Sequence, residues 1–166
     1  MNQLLLVNGP LRLRFEKQGD RYAQIIEISD AHGWSPLART VEGTPDQAWP
    51  LSPTWQELTQ EHHATSQQII FTVGKAGTSH WSGSFSKLPA GGIRCEIACR
   101  TSRVPHFLGT TLRSVIKDVP AQLQLRTTAE TKLVREPREI TLKPASIPLQ
   151  FPATVVWNYT IEWRSA

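Results

Sequence analysis

Hydrophobic and polar residues alternate with a period of two in segments spread along the whole chain. The pattern is clear in residues 11–16, LRLRFE, and it returns near the end in residues 154–163, TVVWNYTIEW. This period places successive side chains on opposite faces of a β-strand. About ten such strands, separated by turns and without a convincing long helix, predict an all-β fold. We predict a mainly antiparallel β-sandwich, with a β-barrel as the alternative.

Turn residues between the alternating segments predict which strands pair. Residues 11–29 are interpreted as one hairpin around Gly19 and Asp20. SHWSGSFS and GIRCEIACR are joined by KLPAGG and predict a second hairpin, and QQIIFTVG is expected to enter its own hairpin through a turn from His63 to Ser66. Further strands are predicted at 111–117, 121–128, 131–135 and 138–143. Residues 30–55 lack this periodicity and predict a long ordered loop or an excursion with short strands.

Length and composition place the chain among folded globular proteins. Its 166 residues are 39% hydrophobic and 19% charged, and we expect a single domain over residues 1–166. No apolar stretch is long enough for a membrane helix, and MNQLLLVNGP has no basic segment typical of a signal peptide, so a cytoplasmic bacterial protein is expected. The net charge of +4 is spread along the chain and does not favour nucleic-acid binding.

The apolar face of each predicted strand gives a predicted core. Its members are Leu13, Phe15, Ile26, Ile28, Ile69, Phe71, Val73, Trp81, Phe85, Ile93, Ile97, Trp157, Tyr159 and Ile161. Cys95 and Cys99 on one strand would lie roughly 13 Å apart, beyond disulfide reach, and are interpreted as structural thiols. The adjacent His62 and His63 would point to opposite faces of a strand, so no metal site and no cofactor are predicted.

The segment SHWSGSFS is interpreted as a strand with one wet face. Trp81 and Phe85 would enter the core, while His80 and the serines that alternate with them would face solvent. No G-x-S-x-G motif supports a serine nucleophile. A functional alternative places His80 beside the loop GKAGT, where Lys75 adds positive charge and a ligand's hydroxyl groups approach the backbone.

The stretch RTVEGTPDQAWPLSPTW, residues 39–55, combines acids, tryptophans and prolines without strand periodicity. A rigid loop of this composition would present Trp49 or Trp55 beside Glu42 and Asp46. Aromatic faces and carboxylates together hold polyhydroxylated ligands, because the ring stacks on C–H groups and the acids accept hydroxyl hydrogen bonds. In the alternative interpretation, the two tryptophans cover one end of the sandwich and the acids cap turns.

Three runs, VEGTPDQAWPLSP, GKAGTSHWS and CEIACR, resemble an uncharacterised bacterial protein family of the planctomycete type. The resemblance covers roughly positions 11 to 115, and the family brings no established activity with it. The many-stranded pattern also looks like the galactose-mutarotase-type super-sandwiches, a group that binds sugars. No motif of this chain maps onto the catalytic His and Glu of that group.

The leading functional hypothesis is a non-catalytic domain that binds a carbohydrate, another small polar ligand or a partner. Its predicted ligand-binding residues are Glu42, Asp46, Trp49, Lys75 and His80, at one end of the sandwich. A second hypothesis is a sugar-epimerising or sugar-hydrolysing enzyme, which requires His80 and Glu42 or Asp46 at one substrate. A third is a structural or oligomerising domain that forms homodimers through exposed edge strands.

Overall fold

A computed structural model describes residues 3–62, 64 and 67–165 of the chain, and the described residues form strands and connections without a helix. Their strands are β1 (Leu5–Asn8), β2 (Leu11–Gln18), β3 (Arg21–Asp30), β4 (Gly33–Thr40), β5 (Glu57–His62), β6 (Gln68–Ala76), β7 (Ser79–Lys87), β8 (Ile93–Thr101), β9 (Thr110–Ser114), β10 (Leu123–Thr127), β11 (Thr131–Arg135), β12 (Glu139–Pro144) and β13 (Ala153–Trp163). Within this described part, no helix is long and apolar enough to cross a membrane.

The strands form two antiparallel sheets. The first sheet has seven strands in the order β1-β2-β3-β4-β9-β12-β11, and the second has six in the order β10-β13-β8-β7-β6-β5. A hydrogen bond of 3.0 Å from the Trp157 indole Nε1 to the Thr110 hydroxyl joins them across the interior. The predicted β-sandwich is therefore confirmed. The barrel alternative is wrong, because neither sheet closes on itself.

The predicted hairpins are present. β2 pairs with β3 around Gly19, whose φ of 65° lies in the left-handed region that glycine tolerates. β7 pairs with β8 through the KLPAGG connection, and β5 pairs with β6. Most of the predicted turn from His63 to Ser66 lies outside the described residues. In residues 30–55, the excursion contains one full strand, β4, followed by the irregular segment 41–56.

The core lies between the two sheets, and most of its predicted members are confirmed. Those that are buried are Leu13, Phe15, Ile26, Trp81, Phe85, Ile93, Ile97, Trp157, Tyr159 and Ile161. Ile28 is half-buried and packs against the core. Cys95 and Cys99 are buried free thiols, as predicted. Burial of the Cys99 thiol raises its pKa to about 12, so it is a poor nucleophile.

The predicted core face of β6 is wrong. Phe71 and Val73 are 36% and 46% exposed, and the inward residues are instead Ile70, Thr72 and Ala76. Trp55 explains the inversion, because this tryptophan from the irregular segment 41–56 is 1% exposed and lies inside the sandwich. Its ring makes an edge-to-face contact with Phe85, the centroids being 6.0 Å apart.

Small residues leave room for this segment. A Cβ atom added at Gly83 would lie 2.8 Å from the Trp55 ring, and one added at Gly74 would lie 1.8 Å from the Thr54 carbonyl oxygen. Backbone hydrogen bonds fix the segment to both sheets, since Tyr22 N–H donates to the Trp55 carbonyl and Gln56 N–H donates to Val73. The face of β6 with the smaller side chains therefore points inward, and the bulkier residues lie on its outer face.

Substitution of Val73 and Ile70 tests this inverted face. We expect Val73→Ala to lower the free energy of unfolding by less than about 1 kcal/mol, because the side chain is half-exposed. Ile70→Ala removes a side chain that is 0% exposed and should cost about 2–5 kcal/mol. Urea unfolding of both variants measures the difference. Equal losses would contradict the register of β6.

Candidate functional site

The outer face of the six-stranded sheet is organised in cross-strand rows. Ser82 on β7 is opposite Val73 on β6 and Ala98 on β8, and Ala98 is opposite Val156 on β13. Side chains in one such row point to the same side of the sheet. Because Trp81 and Phe85 point into the core, the residues that alternate with them on β7, His80, Ser82 and Ser84, point outward. The wet serine face predicted for SHWSGSFS is therefore confirmed.

Two open cavities lie along this face, with volumes of about 490 and 450 Å³, and Ser82 and Ala98 line both of them. We call the surface they form the serine groove. It comprises His80, Ser82, Ser84, Phe71, Val73, Ala98 and Val156, with the charged and polar residues at its two ends. Phe71, Val73 and Val156 are each 36–46% exposed, so apolar side chains flank the serine hydroxyls.

One end of the serine groove is basic. Lys75, His80 and Arg100 are consecutive members of one cross-strand row and line the same cavity. All three side chains are exposed. Within the described part of the chain none of them forms an ion pair, and Arg100 has only a 3.4 Å hydrogen bond to the Thr154 hydroxyl. Their donors are therefore available to a ligand.

The opposite end of the serine groove is polar and acidic. Glu96, Asn158 and Glu130 line the cavity there, and the Ser84 hydroxyl donates to Glu96 over 3.3 Å. The Asn158 amide donates to Glu130 at 3.1 Å. The groove thus offers hydroxyl and apolar groups along its length, cations at one end and hydrogen-bond acceptors at the other.

The structure brings together only two of the five predicted ligand-binding residues. Lys75 and His80 are neighbours at the basic end of the serine groove. Asp46 is exposed and lines none of the cavities described. Trp49 is half-buried against the core, and its ring centroid lies 6.2 Å from that of His106. Trp49 therefore packs over the edge of the core and does not present an open ring face to a ligand.

Glu42 lies on the other side of the sandwich. It lines a third cavity together with Arg39, and this cavity shares no residue with the one at His80. Arg39 is in the same cross-strand row as Arg14, whose neighbours Leu13 and Phe15 enter the core. This row therefore faces outward from the seven-stranded sheet. The sugar-active enzyme hypothesis gains no support from these positions, because Glu42 and His80 do not line one site.

Sequence reasoning missed Phe71, Val73, Val156 and Arg100 as groove residues. For Arg100 and Val156 the alternation could have predicted an outward position, since each follows a buried residue, Cys99 and Val155 respectively. For Phe71 and Val73 the alternation predicted a buried position instead. Their exposure follows from Trp55, which is distant in sequence.

Fold and groove define the class of this protein as an antiparallel β-sandwich with an open polar groove on one sheet. Comparisons of the chain with family models, with curated proteins and with solved structures found no match. The described residues also contain no group of three or more His, Cys, Asp or Glu side chains that could hold a metal ion.

Proposed function

We propose that this protein is a non-catalytic binding domain whose ligand lies in the serine groove. The observation that carries the proposal is the position of Ser82 and Ser84 along β7. Their hydroxyl groups lie between apolar side chains, and the groove they line ends at the basic residues Lys75, His80 and Arg100. This site replaces the tryptophan-containing segment 41–56 as the centre of binding. A bacterial source and a cytoplasmic location remain predictions from the sequence.

The chemistry of the groove favours an acidic carbohydrate. A sugar ring offers apolar C–H groups that pack on Phe71 and Val73, and hydroxyl groups that exchange hydrogen bonds with Ser82 and Ser84. A carboxylate or sulfate on the sugar would accept charge-assisted hydrogen bonds from Lys75 and Arg100. The two overlapping cavities leave space for more than one ring, because each has a volume above 400 Å³.

Removal of the two cations tests the proposal. We expect the double variant Lys75→Ala/Arg100→Ala to lose acidic-glycan binding about tenfold or more, because each residue contributes a charge-assisted hydrogen bond. A glycan array identifies the ligand, and titration calorimetry measures its affinity. Phe71→Ala should weaken the binding of neutral and acidic glycans to the same extent, since the Phe71 ring would contact only apolar parts of the ligand.

The matched control is Lys17→Ala/Lys132→Ala. It also removes two positive charges, but from the seven-stranded sheet, and it should leave the affinity unchanged. Equal losses of affinity in the two double variants would show that only the net charge of the protein matters, which would contradict the proposal. An array without hits would contradict the proposal. So would a dimer, seen by light scattering, that dissociates on Phe71→Asp, because a second copy of the chain would then cover the groove.

A further inference from the structure

The third cavity, on the outer face of the seven-stranded sheet, has a volume of about 420 Å³ and contains a pair of arginines. Arg39 on β4 and Arg113 on β9 are directly opposite each other in antiparallel register. Residues so placed point to the same side with Cβ atoms roughly 5 Å apart, and two like charges there destabilise the sheet. An anion between the two guanidiniums would remove this repulsion.

Both guanidiniums keep hydrogen-bond donors free. Arg113 donates from Nε and Nη2 to one oxygen of Glu139, at 3.1 and 2.9 Å. Arg39 donates from Nη2 to the Gln18 amide oxygen at 3.3 Å and lies 3.9 Å from Glu16. A guanidinium carries more N–H groups than these contacts use. Its planar fork suits the oxygens of a carboxylate or phosphoryl group.

Glu42, one of the residues that line the cavity, has a carboxyl group that is not fully paired. Glu42 Oε1 accepts a hydrogen bond from the Thr40 hydroxyl, while Oε2 is buried and has no hydrogen-bond partner. Desolvation raises the pKa of Glu42 to about 7, although the Thr40 hydrogen bond and the charges of Arg21 and Arg39 lower it. Burial therefore favours the protonated form of Glu42.

The other charges near Glu42 are already paired with each other. Arg21 is bound by Asp20 at 2.9 Å, Arg113 by Glu139, and Glu16 by Arg14 at 2.7 Å. Among the described carboxylates, Arg39 has only the long contact to Glu16, at 3.9 Å. The cavity thus keeps an excess of positive charge whenever Glu42 is neutral.

We propose that this arginine cavity binds the oxyanion group of a small ligand, a carboxylate or a phosphoryl group, between Arg39 and Arg113, and that Glu42 takes up a proton when the anion binds. The physical reason for the coupling is electrostatic, because a bound anion in the same cavity disfavours the ionised form of Glu42. By linkage, anion affinity rises as the pH falls through the pKa of Glu42.

Titration calorimetry of the whole chain tests this proposal with two probes at constant ionic strength. Sulfate represents the tetrahedral phosphoryl group and acetate the planar carboxylate, and the tighter probe identifies the ligand class. We expect Arg39→Ala and Arg113→Ala each to weaken binding about tenfold. Measurements at pH 7.5 in buffers of different ionisation enthalpy should show proton uptake. Glu42→Gln should bind the same probe without taking up a proton.

Arg126 supplies a matched control. It is 59% exposed and pairs with Glu162 at 2.8 Å on the other sheet, while Arg113 is 53% exposed and pairs with Glu139 at 2.9 Å. Arg126→Ala should leave binding unchanged. No binding of either probe, equal losses for Arg113→Ala and Arg126→Ala, or proton uptake that persists in Glu42→Gln would overturn the proposal. Loss of binding only in Lys75→Ala/Arg100→Ala would assign the anion to the serine groove instead.

Discussion

Replacing Trp55 with alanine is expected to lower the free energy of unfolding by about 3–5 kcal/mol. The side chain is 1% exposed, contacts the Phe85 ring and fills the space that Gly83 leaves free. Alanine would leave a cavity that the two sheets cannot close, because the peptide group between residues 55 and 56 is hydrogen-bonded to Tyr22 of one sheet and to Val73 of the other. For a chain of this length the melting temperature should fall by about 6–20 °C.

Trp49→Ala is the matched control for this experiment. Trp49 belongs to the same irregular segment, but it is only half-buried and packs at the margin of the core. We expect a clearly smaller loss, since less apolar surface returns to water. Urea unfolding with a common m-value measures both losses. Similar losses for the two tryptophans would contradict the central position of Trp55.

Replacing Glu42 with glutamine is expected to stabilise the protein at pH 8 and to have little effect at pH 5. Burial raises the pKa of Glu42 in the folded chain to about 7, against 4.5 for an ordinary glutamate. The folded state therefore binds a proton that the unfolded state has released, and stability falls as the pH rises from about 4.5 through 7. Above pH 7 the wild type carries the full penalty of a buried carboxylate, while the neutral amide avoids it.

The gain at pH 8 should reach at most about 3 kcal/mol, an order-of-magnitude figure from the difference between the folded and unfolded pKa. Thermal and urea unfolding at several pH values measure it. Glu16→Gln is the opposite control, because the Arg14 hydrogen bond lowers the pKa of Glu16 and its small contribution is lost as the pH falls. A Glu42→Gln stability difference that does not vary with pH would contradict the raised pKa.

Local pattern was sufficient for most strands because period-two alternation and turn chemistry act within a few residues. The β2–β3 and β7–β8 hairpins follow from their own alternation and from glycines in their turns. The same pattern gave the buried side of β13, where Trp157 and Tyr159 are at most 2% exposed. In these segments the side that is apolar by sequence is also the side that packs.

β6 is the instructive exception. Its two sides carry Ile69, Phe71 and Val73 on one and Ile70, Thr72 and Ala76 on the other, so apolar residues occur on both. Composition favours the first set as the buried one, because it is bulkier. The structure buries the second, since Trp55 and the Thr54 backbone occupy the space that larger side chains would need. A contact between residues 55 and 83 is beyond the reach of any local pattern.

The candidate sites divide in the same way. His80, Lys75 and Glu42 were identifiable as residues with useful chemistry, but their sequence positions did not show which of them share a surface. Strand pairing placed Lys75 and His80 beside Arg100, whereas Glu42, in the irregular segment after β4, lines a cavity with Arg39 at the other sheet.

Neighbouring residues alone account for the antiparallel strands of this chain, for the positions of most turns and for the apolar face of most strands, because these features depend on local alternation and turn chemistry. The order of the strands in the two sheets, the inward face of β6 and the membership of the serine groove and the arginine cavity depend on tertiary contacts. Packing and cross-strand register bring together residues separated by tens of positions. These residues exclude one another from the same space, and interact electrostatically, only after the sheets have formed.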